Sequence, residues 1–229
     1  MSIFNKLSEH IRQKGLRATL KKAWKHYVFS HKELLWMERD LVSPVPPYKL
    51  RSYPPLQVVT ITPENAVAFT RYFGDRVGTM AELAREGYTG HMHVDDKGDA
   101  VAFIWGAARD YYDKHYYGCT FPVKKGEFFE FGGELTRAYW GTALSMDLQT
   151  ELWKAMLTQG CNKVVDVCEF SNIPALKLHI RTGYNEQGRI MNVYELFGRW
   201  RFYRESHYSG SRLDALRKPA REPATAPAT

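Results

Sequence analysis

The stretch Asn172-Ile-Pro-Ala-Leu-Lys-Leu-His-Ile-Arg-Thr-Gly-Tyr184 carries its own punctuation. The Asn172 side chain is a helix-capping acceptor, Pro174 fits a first turn that needs no backbone donor, and Gly183 suits the left-handed residue that ends a helix. A short helix with a marked start and stop is expected. Ala175, Leu178 and Thr182 recur at i, i+3 and i+7, with His179 beside that stripe and placed to look into a cleft. Just upstream, Val164, Val165, Val167 and Phe170 make the short apolar run of a buried strand. The unit is strand, asparagine, short helix, glycine, aromatic.

With Asn172, Ala175, Leu178, His179, Gly183 and Tyr184 at these spacings, the unit resembles the last motif of the GNAT (Gcn5-related N-acetyltransferase) superfamily, Asn-x-x-Ala-x-x-Leu-Tyr-x-x-x-Gly-Phe. The resemblance implies a mixed α/β (α+β) fold with a mostly antiparallel central sheet flanked by helices and splayed at its fourth and fifth strands. It implies acetyl-CoA, or another acyl-CoA, as co-substrate, and Asn172 at the coenzyme site. The family's tyrosine, placed to protonate the departing thiolate, is replaced by His179. An imidazole of ordinary pKa near 6.5 can hold that role with a different pH dependence.

Residues 127–136 read as a strand broken at Gly132-Gly133, where a bulge or close backbone approach is expected. In the family this strand bends from its neighbour, and the unpaired backbone binds the pantetheine arm and the thioester carbonyl. By resemblance Leu135 and Arg137 supply those main-chain groups. Glu130 and Glu134, in the same strand, are candidate bases for an acceptor ammonium if burial lifts a carboxyl toward neutrality, an exposed strand face being the plainer reading of each. Next, Trp140-Gly141-Thr142-Ala143-Leu144-Ser145 opens a helix running to Gly160, with Leu144, Leu148, Leu152 and Ala155 as its core face. Its N-terminal N–H groups suit a pyrophosphate. The loop resembles the family's Arg/Gln-x-x-Gly-x-Gly/Ala in loosened form, with Trp140 for the arginine or glutamine and Ala143 for a glycine, and the Thr142 and Ser145 hydroxyls as added donors.

The chain of 229 residues, 44% hydrophobic and 14% aromatic, supports one domain with appendages. It has no apolar run of about 18 residues and no secretory leader pattern at its first residues, so a cytoplasmic protein is expected. Cys119, Cys161 and Cys168 lack C-x-x-C spacing and read as reduced, buried thiols. His91 and His93, two apart on one strand, lack a third ligand, and no metal is expected.

Of the net charge of +7, about five reside in residues 1–40. Ile3, Leu7, Ile11, then Leu16, Leu20, Trp24 and Tyr27 recur at helical spacing, giving a basic amphipathic helical extension over residues 1–42. Two readings stand open: the stripe packs on the domain or on a second subunit, as in a homodimer, or it lies on anionic lipid as a peripheral membrane element. Nucleic acid is not expected, since the stretch lacks interleaved stacking aromatics beyond Trp24 and Tyr27.

Residues 43–55 hold five prolines and read as an extended linker. The acyltransferase domain is expected over residues 56–205. It begins with an edge strand at 56–62, helices near 63–73 and 75–86, and strands 90–94 and 100–107 joined by Asp95-Asp96-Lys97-Gly98. Residues 109–126, dense in tyrosine, suit a polyhydroxylated acceptor as well as they suit a core edge. Strands near 189–197 and 199–203 follow, then a disordered tail over 206–229. The combined expectation is acyl transfer, most simply acetyl transfer, from CoA to a primary amine by direct attack in a ternary complex, with an amino sugar or lipid-linked envelope precursor as acceptor. A longer acyl or aminoacyl donor is one alternative, and a non-catalytic scaffold on the same fold is another.

Overall fold

The computed structural model describes Trp24, residues 28–47 and residues 49–217. Among the described residues, ten strands and four α-helices follow in chain order: β1 (Phe29–Asp40), β2 (Gln57–Thr60), α1 (Thr70–Phe73), α2 (Val77–Arg85), β3 (Thr89–Val94), β4 (Ala100–Ala107), β5 (Tyr111–Asp113), β6 (Cys119–Phe121), β7 (Glu127–Leu135), α3 (Leu144–Thr158), β8 (Lys163–Glu169), α4 (Ile173–Arg181), β9 (Asn185–Leu196) and β10 (Trp200–His207). Eight strands form one sheet in the order β10-β9-β1-β8-β7-β4-β3-β2, and β5-β6 is a separate hairpin. The β7–β8 ladder is parallel and the others are antiparallel. This is the mixed sheet expected from the sequence, with β7 and β8 standing where the splayed fourth and fifth strands were placed.

The sheet buries both faces. Leu34, Trp36, Phe103, Trp105 and Phe129 pack with α2 and the β5–β6 hairpin on one side, while Leu35, Met37, Phe128 and Val164 pack with α3 and α4 on the other. Strand alternation accounts for the split, since Leu34 and Trp36 face opposite to Leu35 and Met37.

One expectation is corrected here. Residues 29–40, read as the end of an amphipathic helix, are β1, which pairs with β8 on one edge and β9 on the other. A four-residue apolar run, Leu34-Leu35-Trp36-Met37, has no polar side to give a helix an outer face, and all four residues are at most 1% exposed. Residues 1–23 and 25–27, the remainder of that stripe, lie outside the described residues. A second correction concerns the tail. Leu213 is fully buried, and Glu186 accepts from the Tyr208 hydroxyl at 2.6 Å and from the backbone N–H of Arg212 at 2.9 Å, so Tyr208, Arg212 and Leu213 are tied to the domain. Residues 218–229 lie outside the described residues.

The bulge in β7 falls where the glycine pair placed it. The β4–β7 register shifts between Phe103 and Trp105, and Gly132 has φ +66°. Gly183 ends α4 at φ +86°, and a Cβ there would collide with the Arg39 guanidinium.

Because β1 is interior, deleting residues 1–42 is expected to abolish cooperative urea unfolding rather than trim an appendage. Trp36→Ala should cost about 3–5 kcal/mol in the same denaturation measurement.

Candidate active site

β7 and β8 pair only over Glu127–Phe129 and Lys163–Val165. Phe129 and Val165 are the last partners, and the next residues, Glu130 and Asp166, stand at the apex of the wedge where the strands part. Alternation turns Glu130 to the face of Phe128 and Asp166 to the face of Val164, toward α3 and α4. Gln149 and Trp153, four apart on α3, both reach Glu130, the Gln149 amide donating to one oxygen at 2.8 Å and the Trp153 indole to the other at 2.8 Å. From α4, His179 Nε2 meets Asp166 Oδ2 at 2.6 Å, and Nδ1 meets the Ala175 carbonyl at 2.8 Å. A carbonyl only accepts, so Nδ1 carries a proton, and in the charged ring Nε2–H donates to Asp166.

The electrostatics follow from burial. Loss of water, and then the negative charge of Asp166, push the Glu130 carboxyl up to about 7. Burial works against a charged His179, but the hydrogen bond to Asp166 and that carboxylate's charge overcome it and hold the imidazole pKa well above its ordinary value. The Tyr184 ring lies edge-on to His179 at 4.7 Å, and burial drives its hydroxyl pKa upward. Behind them Arg39, 3% exposed, sets its guanidinium 5.0 Å from the Trp153 ring. Ligand-type atoms of Glu130, Asp166 and His179 lie within 4.8 Å of one another, a spacing a divalent cation accepts. Each of the three is also hydrogen-bonded to protein groups. His91 and His93 share a face of β3, and burial lowers the pKa of both.

A cavity of about 370 Å³ opens above this apex. One wall is an aromatic ladder in which Tyr111 stacks on Phe131 at 3.9 Å and Phe121 on Phe129 at 4.5 Å. Tyr116, Tyr117, Asp113 and Glu169 also line it. Tyr111 and Phe121 are buried as core edge and, with Tyr116 and Tyr117, also line the cavity.

Of the residues the sequence singled out, Glu130, Glu134, Leu135, Ser145, Asn172 and His179 line this cavity. Glu134 is paired with Arg76. Asn172 caps α4, its Oδ1 accepting from Ala175 N–H at 3.3 Å. His179 aims both nitrogens at protein acceptors and offers no spare N–H to a thiolate.

The loop before α3 is more self-satisfied than expected. The Leu135 carbonyl already accepts from the Trp140 indole at 3.0 Å, and Ala143 N–H donates to the Arg51 carbonyl at 2.9 Å. Arg51 bridges Thr142 in parallel, and its guanidinium donates to the Trp140 carbonyl at 3.3 Å. The Thr142 and Ser145 hydroxyls turn to the carbonyls of Tyr139 and Thr142, at 2.7 and 3.2 Å. Leu144 is fully buried, Gly141 has φ +73°, and the Arg137 guanidinium lies 5.8 Å from the Trp140 ring. An indole N–H and a proline-rich segment's carbonyls both need partners, and here they find each other's neighbourhood.

Sequence reasoning missed Asp166, Gln149, Trp153 and Arg39. For Asp166 a signal existed: an aspartate inside the apolar run Val164-Val165-Asp166-Val167 is a charge in a buried strand, which must be partnered.

The parted parallel strands, the helix after the first of them and the short helix after the second define the fold of the GNAT acetyltransferases. No family model and no curated protein matches the chain. Among solved structures it is similar to a tandem GNAT protein of the clavulanic acid biosynthesis pathway, with TM-score 0.52, 15% identity, and 80% of this chain and 59% of that one covered. A GNAT-family protein from Novosphingobium aromaticivorans gives TM-score 0.51 at 16% identity, covering 73% and 65%. A Drosophila protein gives 0.51 at 12%, covering 81% and 58%. The chain therefore spans about three fifths of the length of these neighbours, and at such identities they establish the fold alone.

Folding lifts the Glu130 pKa from its ordinary 4.5 to about 7, so the folded chain keeps a proton that the unfolded chain loses. Stability should fall as pH rises from about 4.5 to 7, by on the order of 3 kcal/mol. His179 acts in the next window, its stabilisation being full below about 6.5 and fading as pH climbs through its raised folded pKa. Urea midpoints across pH 4.5–9 are expected to lose the lower slope in Glu130→Gln and the upper one in Asp166→Asn.

Proposed function

We propose that the chain is an acyl-CoA-dependent N-acyltransferase, transferring acetyl to a primary amine in a ternary complex without a covalent enzyme intermediate. The observation that carries this reading is the carboxyl of Glu130, set at the apex of the parted strands with a pKa near 7. A base for a primary ammonium has to be unprotonated part of the time and yet hold the proton it receives, and a group near neutrality meets both demands. The gap suits the amide-rich arm of the coenzyme, because strand backbone beyond Phe129 and Val165 is released from the β7–β8 ladder. CoA supplies the thioester carbonyl that the amine attacks.

In this reading Glu130 takes the amine's proton, directly or through water, while Gln149 and Trp153 hold its two oxygens in place. Main chain near Leu135 faces the developing oxyanion. The His179–Asp166 pair holds the proton for the thiolate, and Asp166, lining the cavity, is the member that relays it. Glu134, engaged by Arg76, shapes the acceptor side rather than acting as base. The acceptor is an amine carried on a polar, ring-bearing or lipid-linked molecule, matched to the tyrosines and to Asp113 and Glu169 along the cavity.

A second reading, a non-catalytic protein on this fold, draws on the loop before α3, where the Leu135 carbonyl and Ala143 N–H are already satisfied by Trp140 and Arg51. Calorimetry separates the two. The enzyme reading expects acetyl-CoA to bind with a dissociation constant in the micromolar to submillimolar range. Silence at millimolar coenzyme supports the scaffold. With an amine panel, Glu130→Gln should lower kcat about 10²–10⁴-fold while binding of acetyl-CoA persists. An unchanged kcat removes Glu130 from the chemistry.

A further inference from the structure

Among the described residues, the far end of the sheet leaves one face bare. In the β1–β9–β10 register, Phe29 pairs with Leu196 and Leu196 with Trp200, while His31 pairs with Tyr194 and Tyr194 with Phe202. Paired residues share a face, so these six side chains form two adjoining rows on one side. The rings touch: His31 stacks on Tyr194 at 4.6 Å, Phe29 on Tyr194 at 6.2 Å, and Phe197 meets Trp200 edge-on at 5.9 Å. Phe197, Trp200 and Phe202 are 61%, 54% and 55% exposed. By alternation along β1 this is the face on which Leu35 lies buried among α3 and α4. Cover ends at the Arg212–Glu33 pair, where the Arg212 guanidinium lies over the rings of Phe170 and Tyr208.

The opposite face of the same strands is tied down, with Met191 and Val193 in the core and polar pairs beyond them. Arg201 pairs with Glu195 at 2.6 Å, Arg189 with Glu205 at 2.5 Å, and Lys32 lies 5.3 Å from the Tyr117 ring. A hairpin with one satisfied face and one bare aromatic face is built to meet something apolar.

Charge selects the occupant. Arg199 sits in the turn between Phe197 and Trp200, and Arg204 follows Phe202 on the bare face, both exposed. The segment entering β1 arrives at the same place, for Val28 N–H donates to Trp24 O, and the Val28 carbonyl accepts from Phe197 N–H at 2.9 Å. Residues 1–28 carry seven lysines and arginines against one glutamate, a net +6 of the chain's +7. An anionic lipid surface would meet the exposed Arg199 and Arg204 beside the rings, with aromatic side chains at the level of the headgroups.

We propose that the aromatic face formed by Phe29, Tyr194, Leu196, Phe197, Trp200 and Phe202, with its flanking cations, docks on anionic membrane lipid. Among the described residues no helix is long and apolar enough to cross a membrane, and docking of this kind requires none. The test is flotation of the full chain with phosphatidylcholine vesicles containing about 30% phosphatidylglycerol, beside pure phosphatidylcholine vesicles, at low and high salt. The expected result is flotation with the anionic vesicles alone, weakened by salt, and reduced about tenfold or more in W200S/F202S. Those side chains are exposed, so unchanged melting temperatures would show that the fold persists. R199Q/R204Q is expected to reduce flotation without touching the aromatic rows. Flotation that survives W200S/F202S overturns the proposal, as does a wild-type protein that stays with the unbound fraction. A dimer in sedimentation velocity that W200S/F202S dissociates would overturn it in favour of a second copy.

Discussion

Two carboxylates held out of water at the point where β7 and β8 part constrain everything around them. A buried carboxylate is costly unless hydrogen-bonded or neutralised, and Glu130 and Asp166 also raise each other's cost by proximity. The neighbouring elements can be read as answers to that cost. α3 presents two donors one turn apart, α4 presents an imidazolium, and β1 brings Arg39 to the rear of Trp153. A strand ladder that closed fully would have covered both groups with backbone and left no opening above them. The opening and the perturbed carboxyl are two consequences of one parting.

Much of this was legible in the chain, and for local reasons. Asn172, Pro174 and Gly183 mark α4 by capping chemistry that depends on three residues and little else, and α4 falls where they placed it. Gly132-Gly133 marked the bulge for the same reason, since few other residues take the backbone it needs. The hairpin at Asp95-Asp96-Lys97-Gly98 and the core face of α3 were equally local. What could not be read was the partner of each group. Gln149 and Trp153 look like ordinary helix residues until β7 is laid beside α3, and Arg51 looks like linker until its carbonyl meets Ala143.

β1 shows why an apolar run misleads. Residues 29–40 follow a stripe with helical spacing, and extending that period forward was natural, yet Leu34-Leu35-Trp36-Met37 has no polar position at any helical phase. A fully buried strand and a fully buried helix look alike over four residues. Strands on both sides decided it, and they lie more than a hundred residues downstream. The strand thereby pairs an early segment with β8 and β9, and places Val28 at the β9–β10 turn.

That tie joins the two proposed surfaces. The polar side of the β9–β10 hairpin rests on the loop that walls the cavity: the Tyr203 hydroxyl donates to the Gly118 carbonyl at 3.1 Å, Lys32 lies over the Tyr117 ring, and the sulfurs of Cys119 and Met191 meet at 3.6 Å. Tyr117 and Phe121, at either end of that loop's second half, line the cavity itself. One thin hairpin therefore has the cavity wall on one face and, among the described residues, bare aromatic rings on the other. A face that sits on lipid would set the cavity wall a single strand layer from the membrane, about 10 Å, which is the thickness over which two packed layers communicate. An amine attached to a lipid would then need little of its length to leave the bilayer before reaching Glu130.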